Sequence, residues 1–207
     1  MLDGIGDVVV KGFSSVTPDL DDIYNEASNE TMSNWLTTQK LMVASSGAAS
    51  MAIPGAHMAG MAADLAFLMN RMAVASYGVG AIHYEKHGIG NELSDEDFAN
   101  VLAIWSGEDP FVLDGVMGKV SGKAGVKYLA KTLAKKAGVK IGNKLTGKIA
   151  GKVAGKFSSK MSSKLLSGFI PFVGSAVSGT VNYIFIGGIT EAAEKYYGQM
   201  VRLAKAV

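Results

Sequence analysis

No cysteine occurs among the 207 residues. That excludes a disulfide framework and a thiol nucleophile, and it suits a chain kept in a reducing cytoplasm. Between residues 119 and 164 there is also no Asp, no Glu and no Arg, and only two aromatics, Tyr128 and Phe157. Sequence-reading or strand-binding surfaces use bidentate arginines and stacking rings, so this stretch argues against nucleic acid as a partner. Residues 41–63 and 165–190 hold no Asp, Glu, Lys or Arg. No Gly-x-Ser-x-Gly elbow is present, so no catalytic nucleophile is expected. The start, Met1-Leu2-Asp3-Gly4, is acidic and lacks an apolar stretch, so no secretory leader is expected.

What stands in place of acid is lysine. Lys119, Lys123, Lys127, Lys131, Lys135, Lys136, Lys140, Lys144, Lys148, Lys152, Lys156, Lys160 and Lys164 follow at nearly regular four-residue spacing. Gly147, Gly151 and Gly155 each precede a lysine, and such a small-residue series lets helices approach closely in lipid. A four-residue step overshoots one helical turn by about 40°, so the lysine stripe drifts around a straight helix. A break is therefore expected between 138 and 143, giving two helices over roughly 118–137 and 144–169.

The net charge of +2 conceals a division. Residues 1–118 carry 4 basic and 16 acidic side chains, net −12; residues 119–207 carry 16 basic and 2 acidic, net +14. The two halves either attract one another or present one face to an anionic partner. Charged residues make up only 18% of the chain, below the usual quarter, and mean hydropathy is +0.22. The apolar character comes largely from Ala, Gly, Met and Val.

Periodicity and breakers predict an all-α, multi-helix bundle with a Lys/Gly-rich helical pair and buried apolar helical hairpins. Residues 1–16 are expected to form an arm and 17–207 a single domain, acidic over 17–118 and basic over 119–207. Thr17-Pro18-Asp19 starts a helix that runs, with a break near Asn29, to about Ser50. Pro54-Gly55 interrupts it. An apolar helix follows from His57 to about Tyr84, and Ser94-Asp95-Glu96-Asp97 caps another to about Trp105. The run 165–190 is long enough to cross a bilayer, yet Pro171, Asn182 and five glycines favour a buried hairpin broken near Pro171 and Gly187. An amphipathic helix from about Thr190 to Lys205 ends the chain.

Three smaller signals bear on chemistry. Asp64 and Arg71 are seven residues apart on one helical face, and lone charges in an apolar helix pair or face a cavity; they are the candidate polar core pair. His83 and His87 flank Glu85 and are weak metal candidates, because Gly88 marks a helix end where histidine also suits the dipole. Gly142 to Lys148 imitates a phosphate-binding loop, but Ile149 stands where a metal-binding hydroxyl belongs. No cofactor is expected.

The residues Pro54-Gly55, Asp64, Arg71 and Tyr77-Gly78, then the lysine-rich stretch, Ile170-Pro171-Phe172-Val173-Gly174, Asn182-Tyr183 and Tyr196-Tyr197 resemble the EcsC family over roughly residues 40–200. The resemblance implies a bacterial, mainly helical protein linked to membranes and in some members to export machinery; it implies no catalytic residue. Taken together, the expectation is a non-enzymatic protein of the bacterial cytoplasm, peripheral to or inserted in the membrane. It binds anionic lipid through its lysines, with pore formation by a homo-oligomer as the sharpest version. The alternatives are an adaptor of a membrane transporter that recognises an acidic protein face, and a lipid- or metal-binding module with enzyme-like chemistry.

Overall fold

The computed structural model describes residues 18–50, 57–111, 129, 131–132, 151–153, 155–156 and 173–206. The regular elements among them are all helical: α1 (Leu20–Ala27), α2 (Met32–Ser50), α3 (His57–Lys86), α4 (Asp95–Ser106) and α5 (Val173–Lys205). Helical pieces also surround Leu129 and Val153. The chain is thus an all-α bundle. The arm 1–16 and most of the expected lysine-rich helices lie outside the described residues.

Local chemistry sets most of the helix ends. The Asp19 carboxylate accepts from the backbone N–H of Asp21 at 3.0 Å and Asp22 at 3.2 Å, so Asp19 is the cap of α1 and begins it slightly later than the Thr17-Pro18 signal suggested. Asp21 and Asp22 add negative charge to the positive end of the same helix. Residues 28–31 separate α1 from α2, where Asn29 foretold a break. The hydroxyl of Thr31 then accepts from Asn34 N at 3.2 Å. Past the end of α3, Gly88 takes a left-handed φ of 69°, and Ile89 N–H reaches back to the Tyr84 carbonyl at 2.9 Å. Ser94 and Asp97 form a complete capping box at the start of α4, and Gly107 ends that helix at φ 92°.

One expectation fails: the chain does not break at Gly187. α5 is a single helix of 33 residues that passes through Gly187, Gly188 and Thr190. Two glycines cost a helix roughly 1 kcal/mol each, which packing repays. The absent side chain at Gly188 leaves room for an indole, since a Cβ there would lie 2.8 Å from Trp105 Nε1. The Thr190 hydroxyl donates to the carbonyls of Ile186 and Gly187 at 2.8 and 2.9 Å and so stays within its own helix.

The core is organised around α3. From Leu68 to Tyr84 nearly every residue is buried, and most are small or flexible: Ala73, Ala75, Ser76, Ala81, Met69 and Met72. Gly78 and Gly80 lie about 200° apart around the helix, so they face opposite neighbours. A Cβ on Gly78 would fall 2.1 Å from the Trp35 ring, and one on Gly80 would fall 2.4 Å from the Tyr197 ring. Trp35 comes from α2 and donates its indole N–H to the Ala75 carbonyl at 3.2 Å; Tyr197 comes from α5. The pairings 35 with 75 and 39 with 71 run α2 antiparallel to α3. Asn182 donates to the Val43 carbonyl at 3.2 Å while Lys40 meets Gly187, so α2 is antiparallel to α5 as well. α4 crosses α5 in the opposite sense to the chain, with 97 beside 196 and 105 beside 185.

Gly78→Ala is expected to cost about 1–3 kcal/mol of unfolding free energy, because the indole of Trp35 must move to admit one methyl group. Gly198→Ala, where an added Cβ meets no described atom within 4 Å, should instead gain up to about 1 kcal/mol from helix propensity. Urea denaturation of the two variants checks the contrast; equal effects would contradict the close approach at Gly78.

Candidate functional site

The described lysines of the array lie on the outside. Leu129 is buried at 1% exposure while Lys131 is exposed, and Val153 is fully buried while Gly151, Lys152, Gly155 and Lys156 are exposed. Each piece therefore turns an aliphatic residue inward and its lysines outward, as an amphipathic surface helix does. Lys119, Lys123, Lys127, Lys135, Lys140, Lys144, Lys148, Lys160, Lys164 and Gly147 lie outside the described residues. Gly151 and Gly155 have open space where a Cβ would be, with no described atom within 4 Å.

Lys152 and Lys156 also tie the basic half to the end of α4. Lys152 pairs with Glu108, and the Lys156 ammonium donates to the Trp105 carbonyl while lying 4.7 Å from the Trp105 ring centroid. A cation at a helix C-terminus meets the negative end of the dipole, and over an indole it meets the negative ring face. Lys195 reaches Asp109 at 3.4 Å on the same side.

Beside this contact lies a half-open groove of about 480 Å³ between α2, the end of α4 and α5. Trp105, Tyr183, Ile184 and Phe185 line it with the bare backbone of Gly187 and Gly188, and Lys40, Lys156 and Glu191 supply its charges. The Lys40 ammonium sits 5.2 Å from the Tyr183 ring centroid. Tyr183 and Ile184 are 47% and 46% exposed, and Leu41 and Met42, next to Lys40, are 62% and 42% exposed. Cations and the partly exposed side chains of Tyr183 and Ile184 thus share this groove.

Of the candidate polar pair only Arg71 has a described side chain, since Asp64 falls in a part of α3 whose side chains lie outside the described residues. Arg71 donates to Gln39 of α2, which is fully buried. Burial lowers the guanidinium's pKa, against the charge of Glu26, which raises it. His83 and His87 sit at the end of α3 with ring centroids 6.4 Å apart. Both are pushed below the usual histidine range, by burial first and then by positive neighbours: His87 and Lys86 act on His83, and Lys205 and Lys86 on His87. Among the described residues no group of three or more His, Asp or Glu could hold a metal ion.

A site that sequence reasoning passed over is the buried carboxyl of Asp97. Its box role was legible in Ser94-x-x-Asp97; its burial was not. Asp97 is fully buried and accepts from Ser94 N at 3.0 Å, Tyr196 Oη at 2.8 Å and Tyr197 Oη at 3.4 Å. Asn100, one turn on, donates to the Tyr196 hydroxyl at 3.2 Å. The rings of Tyr196 and Tyr197 meet edge to face at 5.0 Å, and Tyr84 meets Tyr197 the same way at 5.4 Å. Burial pushes the Asp97 carboxyl up to about 7, although the tyrosine and backbone donors pull it down. Burial, and then the charge of Asp97, hold Tyr84, Tyr196 and Tyr197 well above the usual phenol range. Fully buried and bonded to both tyrosines, this carboxyl anchors α4 on α5.

No protein-family model matches the chain, and no curated protein or solved structure matches it. Tyr77, Gly78, Asn182, Tyr196 and Tyr197 all pack the bundle: Tyr77 donates to the Asp95 carbonyl at 3.2 Å, Gly78 admits Trp35, Asn182 joins α5 to α2, and Tyr196-Tyr197 hold Asp97.

Because Asp97 holds its proton more tightly folded than unfolded, its contribution to stability is fully present below its unfolded pKa of 3.8 and is lost as pH rises through about 7. A shift of this size corresponds to roughly 4 kcal/mol. The melting temperature of the native chain should therefore fall between pH 5 and pH 8 more steeply than that of Asp97→Asn, which cannot titrate there. Parallel pH profiles would show that the carboxyl is already ionised in the core over this range and would contradict the raised pKa.

Proposed function

We propose that this chain is a membrane-associating helical protein that binds anionic lipid surfaces through its lysine array. The observation that carries the reading is the array itself, thirteen lysines over residues 119–164 with no acid between them. The outward setting of Lys131, Lys152 and Lys156 supports it, as does the apolar surface of Leu41, Met42, Tyr183 and Ile184. Each basic residue near an anionic leaflet contributes about 1 kcal/mol, and apolar side chains at the same face add insertion into the headgroup boundary. The resemblance to the EcsC family leads to the same place. Among the described residues no helix is long and apolar enough to cross a membrane. The association we propose is peripheral, with insertion or pore formation as its sharper version.

Purified protein mixed with phosphatidylglycerol and phosphatidylcholine vesicles, scored for co-sedimentation and dye leakage at low and high salt, tests this. Salt-sensitive binding to the anionic vesicles is expected. Replacing Lys119, Lys123, Lys127 and Lys131 by Gln should weaken it between about a hundredfold and a thousandfold. Lys152→Gln, whose cation already pairs with Glu108, should weaken it less. Leakage would extend the reading to insertion, and absence of binding at low salt would end it.

A further inference from the structure

The groove on the α2–α5 face carries more than a diffuse cationic surface requires. Its floor is a stretch of α5 made shallow by Gly187, and apolar rings and an isoleucine rise beside it. Its two ammonium groups come from opposite walls, Lys40 from α2 and Lys156 from the basic half, each held over an aromatic ring. The Lys40 stem passes 3.8 Å from the position of a Cβ on Gly187, so its methylenes extend the apolar wall while the charge stays at the rim. At about 480 Å³ the space is within the range of small-molecule sites.

From this geometry we infer that the groove seats a single anionic lipid molecule. The head group lies between Lys40 and Lys156, and one acyl chain lies over Gly187 against Trp105, Tyr183 and Ile184. A free phosphate would match the two cations but would leave the apolar floor and the exposed faces of Tyr183 and Ile184 unused. A neutral hydrocarbon would make no use of the ammonium groups of Lys40 and Lys156 that line the same groove. Glu191 also lines the groove and offsets part of its positive charge. The inference rests on the membrane reading above and adds to it a defined seat for one lipid.

Trp105 provides the reporter. The second indole, Trp35, is 3% exposed in the α2–α3 interface and should stay silent. Vesicles containing phosphatidylglycerol brominated on its acyl chains should quench tryptophan emission of the native chain, and Trp105→Phe should remove that quenching. Gly187→Leu puts an isobutyl group into the groove at a position where a Cβ makes only ordinary contact, and leucine favours the helix. The quenching affinity of Gly187→Leu should fall about tenfold, the loss of burying roughly two methylenes, while co-sedimentation through the lysine array is unchanged. Lys40→Gln should show the same separation and decides the matter alone if Gly187→Leu loses its helical circular dichroism.

Native-like quenching in these variants would overturn the seat and leave the membrane reading standing. Equal quenching by brominated phosphatidylcholine would overturn the choice of an anionic head group. Failure of the native chain to sediment with any vesicle would remove both readings. A change from dimer to monomer in Gly187→Leu, with quenching unaltered, would give the groove to a second copy of the chain.

Discussion

The bundle depends on how closely other helices approach α3. A helix buried on two opposite sides cannot carry large side chains on both without pushing its neighbours apart. The stretch from Met69 to Ile82 answers this with alanine, glycine, serine and flexible methionine. At Gly78 and Gly80 the backbone itself becomes the contact surface, and the rings of Trp35 and Tyr197 fill the space from either side. At these two positions α2 and α5 supply the large side chain and α3 supplies only backbone. Dense packing follows, and so does intolerance of added volume along the centre of the molecule.

Once Tyr197 is fixed against Gly80, the position of α4 is determined by polar chemistry. Tyr197 and its neighbour Tyr196 turn their hydroxyls to the same carboxyl, Asp97. Asp97 is also the third helical residue of α4, where a carboxylate closes the capping box on Ser94 N–H. One side chain therefore ends the orphan N–H of a helix start and docks that helix on α5. A carboxyl buried this completely pays desolvation, which its donors only partly offset; the remainder raises its pKa toward neutrality. The phenols share that burden: burial and the nearby negative charge keep them protonated, hence able to donate.

Much of this was legible in the sequence wherever the signal was local. The Ser94-to-Asp97 box, the break near Asn29 and the glycine stop at Gly88 each follow from chemistry within a few residues. Asp19 displaced the cap by a little, because its carboxylate reaches two N–H groups. What was not legible required knowing the neighbour. Gly187-Gly188 reads as a hinge in a charge-free run, yet Gly188 accommodates Trp105, which comes from a position 83 residues earlier. The burial of Asp97 needed the tyrosines a hundred residues on, and Arg71 found Gln39 of another helix. The groove joins residues from four separate stretches, and no single stretch of sequence announces it.

The opposed charges of the two halves acquire a physical meaning at the end of α4. There Gly107 stops the helix, Glu108 and Asp109 follow, and Lys152 and Lys195 answer them. Lys156 takes the carbonyl of Trp105 and covers its ring. These exposed pairs contribute little individually, typically below about 1 kcal/mol. Their value is positional: they tie the lysine-bearing piece around Val153 to the groove wall and so place Lys156 beside the same apolar floor as Lys40. An array that were merely basic would need no such attachment, since long-range attraction to an anionic surface depends little on which helix carries the charge. A piece anchored by Val153, with its lysines outward and one of them turned over Trp105, can combine non-specific attraction with a specific seat. Salt would weaken the first sharply and the second less, because a cation held over a ring beside apolar walls is less screened than one in open water.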